Sequence, residues 1–365
     1  MTRSLPIRLT ALTALAFTAP QVGAADPTFE VYGQINFGLF DVDDGTESET
    51  FIADNDTSNT RIGLRYSDDL ANGATIRFNF ETGLGFASSS EASIEDNDLD
   101  IDLNRTDLRK LEVIYETPNF GTFYVGQGSM SADGITESDL SETSVVAYSG
   151  VDDLAAGFAF RPKDGAFSGV NVGDAFRLFD GSRRLRLRYD TPSFNGFTGS
   201  ISYGEEELDQ SDDREFTDIA LRYSQDFGDV LVDGQLGYQW IDDDDTTDEE
   251  VLGGSIAMLH KPSGVSVALA SSRLDEGDES YYYVKLGYQQ DWFALGTTAL
   301  SVDLFEGSDY AIDGSDSTSW ALSAVQFIDA YNMELYASYR TYEFDAAGTD
   351  FEDIDVILVG ARWKF

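Results

Sequence analysis

Ile357-Leu358-Val359-Gly360-Ala361-Arg362-Trp363-Lys364-Phe365 closes the chain, and its side chains sort into two faces. Ile357, Val359, Ala361, Trp363 and Phe365 fall on one; Leu358, Gly360, Arg362 and Lys364 fall on the other. A period of two with one apolar face describes a strand with oil on one side and water on the other. In a soluble sandwich the oil is a protein core. In an outer-membrane barrel it is lipid, and the polar faces line a lumen. The alternation recurs upstream, with Met333, Leu335, Ala337 and Tyr339 opposing Glu334, Tyr336, Ser338 and Arg340. Ile219, Leu221 and Tyr223 likewise oppose Ala220, Arg222 and Ser224.

The first residues choose between the two oils. Residues 1–24 read as a secretory signal: Arg3 and Arg8, an apolar stretch from Leu9 to Ala19, then small residues before a cut after Ala24 or Ala25. The apolar run is shorter than the ~20 residues a helix needs to span a bilayer. The expected mature chain, residues 25–365, is therefore exported without a membrane-spanning helix. Losing Arg3 and Arg8 takes the net charge from −44 to −46. That balance disfavours nucleic acid, whose phosphates need Lys and Arg. With no Cys, disulfides and thiolate metal sites are excluded.

Strands are predicted near 28–41, 59–67, 73–87, 105–117, 121–128, 183–191, 196–204, 216–226, 229–241, 250–261, 264–273, 280–290, 292–305, 317–328, 332–344 and 353–365. The connections alternate in kind. Brief ones carry turn residues, as in residues 67–73 (SDDLANG), 117–121 (TPNFG) and 191–196 (TPSFNG). Long ones are acidic: residues 42–58 and 88–104 each hold six acids and no base. A barrel in an asymmetric membrane separates short periplasmic turns from long extracellular loops in this way. The expected fold is all-β, a 16-stranded antiparallel transmembrane β-barrel, and barrels of about that size hold an aqueous channel. Aromatics near strand ends, such as Trp292-Phe293 and Trp363/Phe365, suit interfacial girdles.

Several segments resemble the general, trimeric porins of Gram-negative outer membranes: FEVYGQINFGL at 29–39, TRIGLRYSDDLANGATIRFNFETGLGF at 60–86, NRTDLRKLEVIYETPNFGTFYVGQ at 104–127, RYDTPSFNGFTGSISYG at 188–204 and GARWKF at 360–365. The resemblance spans essentially the whole mature chain. It implies a homotrimer in outer-membrane lipid and lipopolysaccharide, and a terminal Phe365 read as an assembly signal by the barrel-assembly machinery. It also implies passive passage of small hydrophilic solutes and ions, with no catalytic residue and no cofactor.

One connection is far longer than the rest, residues 129–182, and loops of that length are usually functional or disordered. In the family the third loop folds into the barrel and narrows it, so the resemblance makes Asp133, Glu137, Asp139, Glu142, Asp152 and Asp153 the acidic side of a constriction. Arg161, Lys163 and Arg177 interrupt the acidity, and Phe158, Phe160 and Phe167 suggest that part of the segment packs or forms an extra strand. Opposite, the family places bases on the wall. Arg184, Arg186 and Arg188 share one face, against Leu185, Leu187 and Tyr189. Facing lipid, each Arg would cost about 2–4 kcal/mol near the midplane, so the lumen is their place. Parity also turns Arg61, Arg65 and Arg77 inward, and Arg105 aligns with a basic family position. The alternative role for these bases is pairing with lumen carboxylates such as Glu81, which would stiffen the wall.

Acid-rich loops predict cation preference, because a ring of one charge concentrates counter-ions. Alternatives are a substrate-selective porin for a sugar, phosphate or amino acid, with Tyr281-Tyr282-Tyr283 as an aromatic rail, or an outer-membrane enzyme or adhesin barrel. The sole His, His260, sits beside a predicted turn, away from the loop end. Asp242, Asp243, Asp244 and Asp245 offer oxygen ligands for Ca²⁺ or Mg²⁺ but lack the EF-hand pattern, and a solvated loop tip is the expectation.

Overall fold

The computed structural model describes residues 26–163, 169–209, 211–243, 248–275 and 278–365. The signal segment 1–24 and its cleavage site, Phe167, Asp244 and Asp245 lie outside the described residues. The described strands are β1 (Thr28–Asp43), β2 (Ser48–Asp54), β3 (Arg61–Asp69), β4 (Thr75–Gly83), β5 (Leu108–Thr117), β6 (Gly121–Ser129), β7 (Arg183–Asp190), β8 (Phe197–Glu205), β9 (Glu215–Asp226), β10 (Val230–Asp242), β11 (Glu249–His260), β12 (Val265–Leu274), β13 (Ser280–Phe293), β14 (Gly296–Ser308), β15 (Asp316–Ile328), β16 (Met333–Asp345) and β17 (Ile354–Lys364). They form one antiparallel sheet that closes when β1 pairs with β17, from Gln34 opposite Lys364 to Asp43 opposite Asp355.

β2 and β3 are two lengths of one stave, since both lie along β1: β2 against its Phe37–Asp43 half and β3 against its Thr28–Gln34 half. The barrel therefore has 16 staves. Here the structure corrects one expectation, because residues 42–58 are not a long loop. Asp44 closes a tight turn, its Oδ1 accepting from the Thr46 and Glu47 amides at 3.0 and 2.8 Å, and strand β2 follows. The acids of β2 masked its alternation, in which Phe51 and Ala53 face inward while Ile52 is 51% exposed. At the opposite end the brief connections hold as tight turns. Gly121 has φ +82°, and a Cβ there would lie 2.1 Å from the Asp190 carbonyl oxygen, so only glycine serves.

The outer surface is an apolar band. Leu185, Leu187, Ile219, Leu221, Leu335, Ile357 and Val359 are exposed on it, while Arg186, Ala220, Glu334, Ser338, Arg340 and Leu358 between them are buried. Aromatics crowd the short-turn edge at Phe120, Phe194, Phe227, Trp292, Phe293, Tyr331 and Phe365. Near the other edge, Trp240 pairs with Tyr238 and Trp320 with Tyr339, with ring centroids 4.7 and 5.4 Å apart. Amphipathic rings at both borders of an apolar band fit a bilayer of finite thickness. No described helix is long and apolar enough to cross a membrane; the strands cross instead.

The interior is partly filled. The first part of the β6–β7 connection, from Met130 to Thr143, runs around the inner wall and is pinned stave by stave. The Ser131 amide donates to Ser202 Oγ of β8 at 2.7 Å, the Ala132 amide to Asp218 of β9 at 2.9 Å, and the Ser138 amide to Ser255 Oγ of β11 at 3.0 Å. Lys285 of β13 donates to Asp139 at 2.6 Å, and Thr143 bonds to Ser301 of β14 at 2.8 Å. Beyond these anchors Phe158, Phe160, Phe176 and Phe179 are buried against Tyr281, Phe305, Tyr342 and Phe344 of the wall. Burying each such ring stabilises by about 1.5–3 kcal/mol. These phenylalanines pack without adding a stave; among the described residues the segment pairs through isolated bridges alone, Ala159 with Asn171 and Pro162 with Phe351 beside the phenylalanines and Asp133 with Gly181 near its root.

Candidate functional site

The loop and its aromatic mass leave a polar cavity against the facing wall. Its lining includes the carboxylates of Asp56, Asp133, Glu137, Asp139, Asp153 and Asp180 and the guanidiniums of Arg61, Arg109, Arg183 and Arg362. All these acids but Asp56 come from the loop; the bases come from β3, β5, β7 and β17. Acids therefore face bases across the gap.

The basic side is organised by Glu81 of β4, which is 3% exposed. Glu81 accepts from Arg109 Nε at 2.8 Å and from the Tyr32 hydroxyl at 2.8 Å, and lies 3.9 Å from both Arg61 Nε and Lys110 Nζ. Arg362 pairs with Glu334 at 2.6 Å. The Arg183 Nε is buried with no hydrogen-bond partner among the described residues.

On the acidic side, crowding holds protons. Close protein walls and the Asp133 carboxylate raise Glu137 to about 7, with Arg183 opposing them. Burial, then Glu137 and Asp133, pushes Asp180 well above the carboxylate range, although Thr136 Oγ1 donates to it at 3.2 Å. Burial, then Asp56 and Asp152, does the same to Asp153, which also accepts from the Tyr148 hydroxyl. Burial raises Asp152 to about 7.

Of the residues singled out from sequence, Arg61, Asp133, Glu137, Asp139 and Asp153 meet in this cavity. Asp152 sits one residue away in the 3-10 turn Val151–Leu154 and is not part of the lining. Glu142 is exposed at a positive φ of 63°, with Glu334, Lys364 and Asp139 as its charged neighbours, and is not part of the cavity lining. The ladder of Arg184, Arg186 and Arg188 does face inward, but each is spent on a local partner: Glu206 at 3.1 Å, Glu112 in a short contact, and Asp190 at 2.8 Å. Those three pairs match the wall-stiffening role. Arg65 lies 3.6 Å from Glu30 and 3.8 Å over the Tyr32 ring, and Arg77 pairs with Glu116 at 2.6 Å, all outside the cavity. Arg105 is a correction: it stands in the 3-10 turn Arg105–Asp107 before β5, where Nη2 donates to the Glu207 carbonyl at 2.7 Å. Arg161 bridges to the first turn through Asp44 and Glu47.

Arg109, Arg183, Arg362, Asp56 and Asp180 were not foreseen as site residues. By alternation with the exposed Leu111 and Val113, Arg109 belongs outside. A β-bulge sets Glu81 opposite Lys110 and Thr82 opposite Leu108, and the unpaired Arg109 swings in to Glu81. Arg183 shares the parity of Leu185 and Leu187 but stands at the loop's root, where the chain turns into the lumen. Arg362 was readable, since the closing strand puts it on the polar face. Among the described residues no group of three or more His, Asp or Glu is arranged to hold a metal ion.

Comparison with known proteins agrees with the geometry. The family model of the Gram-negative porins matches residues 11–347. No curated protein matches the chain in sequence. Solved structures do match in fold. The anion-selective porin from Comamonas acidovorans is 18% identical, with a TM-score of 0.59 over 93% of this chain and 100% of that one. The outer membrane channel DcaP of Acinetobacter baumannii is 12% identical, with a TM-score of 0.58 over 96% and 100%. A loop L8 deletion mutant of OmpT, an outer membrane protein of Vibrio cholerae, is 14% identical, with a TM-score of 0.58 over 93% and 100%. The chain belongs to the family of Gram-negative porins. It is a β-barrel channel of the bacterial outer membrane.

Proposed function

We propose that this channel passes small hydrophilic solutes and ions by passive diffusion, and prefers cations wherever its loop carboxylates are ionised. One observation carries the reading: six carboxylates face four guanidiniums across the polar cavity. Opposed charges in a narrow wet gap orient dipolar solutes, and the acidic excess concentrates counter-ions. The anion-selective neighbour shares the fold at 18% identity, and its selectivity does not carry over. An aromatic sugar path loses its support. Tyr281 and Tyr283 point inward but are buried at 0% and 3% exposure, and Tyr282 points outward at 66%.

The passage needs no catalytic group and no cofactor. His260 ends β11 at a tight turn, exposed, its Nδ1 2.7 Å from the Ser263 hydroxyl, and contributes nothing to the cavity lining. A homotrimer, lipopolysaccharide contact, recognition of Phe365 during assembly, and Ca²⁺ or Mg²⁺ at the acidic loops that include Asp242 and Asp243 belong to the same proposal. Liposome swelling with sugars of graded size tests it. A size limit without saturation is expected; saturable flux would favour a selective site, and no flux in folded barrels would overturn the channel reading.

A further inference from the structure

Between β2 and β3 the second stave leaves the wall. Residues 55–60 stand opposite only Ile35 and Asn36 of β1, so a six-residue hump rises where two residues would continue the strand. It carries the 3-10 turn Asp56–Ser58, and Asp56, Thr57, Ser58 and Asn59 all line the polar cavity. Its base is fixed from below. Gln34 Nε2 donates to the Ser58 and Asn59 carbonyls at 2.6 and 2.9 Å, Asn36 Nδ2 donates to Ser58 O at 2.9 Å, and the Tyr336 hydroxyl donates to Asn36 Oδ1 at 2.7 Å.

Its crest grips the loop. Asn55 Nδ2 and Thr57 Oγ1 both donate to the Val145 carbonyl, at 2.9 and 2.5 Å, and Asn55 is 0% exposed. Two residues further on, Lys285 of β13 donates to the Ala147 carbonyl at 2.5 Å. The stretch from Val145 to Ala147 is thus stapled at both ends, to the hump on one side of the lumen and to β13 on the other. A buried amide that bonds two ways accepts few alternative positions for its partner.

We propose that this hump is a second jaw of the pore. Asn55 and Thr57 act as positioning residues that hold the loop at a fixed aperture, and Asp56 is a selectivity-determining side chain in that aperture. The inference rests on the channel reading above and adds to it a wall element that sets size and charge together. Bulges commonly re-aim side chains beside functional sites. Here the outcome is an acid delivered from the wall to the loop's side of the gap.

Two variants test it in planar bilayers, with heat-modifiable electrophoresis verifying folded barrels. The chain has no Cys, so Asp56→Cys offers a lone thiol to a cationic methanethiosulfonate reagent. Expected are a stepwise fall in current and a loss of cation preference. Complete modification by mass spectrometry with unchanged current would overturn the placement of Asp56 in the aperture. The double variant Asn55→Ala/Thr57→Val is expected to lose the single conductance level, to flicker, and to admit larger sugars than wild type. Wild-type conductance, noise and size limit in folded double-variant channels would overturn the positioning role. Absence of current in the wild type would instead strike the channel reading itself, a result separable from both.

Discussion

Lowering the pH should strip the channel of its cation preference. The cavity's four guanidiniums and six carboxylates carry a formal charge of −2 when all are ionised. Glu137 is raised to about 7, and Asp153 and Asp180 lie well above the ordinary carboxylate range. A raised carboxyl is neutral below its pKa and charged above it, so Glu137 gains its negative charge as pH rises through about 7, and Asp153 and Asp180 hold their protons well above the pH at which ordinary carboxylates lose them. With all three protonated the formal charge becomes +1. One unit charge about 5 Å from a permeating ion in a water-like dielectric is worth about 0.8 kcal/mol, about fourfold in the ion's local concentration. Three such changes suffice to invert the preference. The assay is the reversal potential across a KCl gradient from about pH 5 to about pH 9, in salt dilute enough for a Debye length of about 10 Å. Cation preference should climb with pH, and Glu137→Gln/Asp180→Asn should flatten that climb. A pH-independent reversal potential in wild type would refute the reasoning.

Other predictions follow from the wall and the packed loop. Arg340 and Asp303 form an ion pair at 2.8 Å in which both side chains are at most 1% exposed, so Asp303→Asn should destabilise the barrel by about 3–5 kcal/mol, read from urea unfolding in detergent. Phe158→Ala should cost about 3–5 kcal/mol in the same assay, because that ring is 0% exposed within the loop's packed face. Leu187→Arg, on the exposed outer band, should impair refolding into vesicles by about 2–4 kcal/mol, with the largest penalty if it sits near the midplane. Arg183→Glu should strengthen cation selectivity with little loss of stability, since that side chain has no ion pair among the described residues.

Much of the fold was legible because lipid and water impose a period of two. The closing strand and β16 sort as their alternation requires, and the turn glycines fall where positive φ is needed. Legibility ended where that rule is broken locally. β2 hid behind its acids. Tyr281, Tyr283 and Phe305 face inward yet are apolar, because the loop rather than water covers them, a contact no local pattern announces. The ladder of Arg184, Arg186 and Arg188 has the right parity, but parity says only that a side chain points in. Their partners Glu206, Glu112 and Asp190 come from β8's end, β5 and β7, and only the folded register brings the first two within reach. Arg109 reached the cavity through a bulge, and Asp56 through a hump, both set by register with neighbouring staves.

The most direct measurement is single-channel recording of the refolded mature chain in planar bilayers. The account predicts discrete ohmic current steps, carried mainly by cations above neutral pH. Folded, inserted barrels that leave the membrane electrically silent would contradict it.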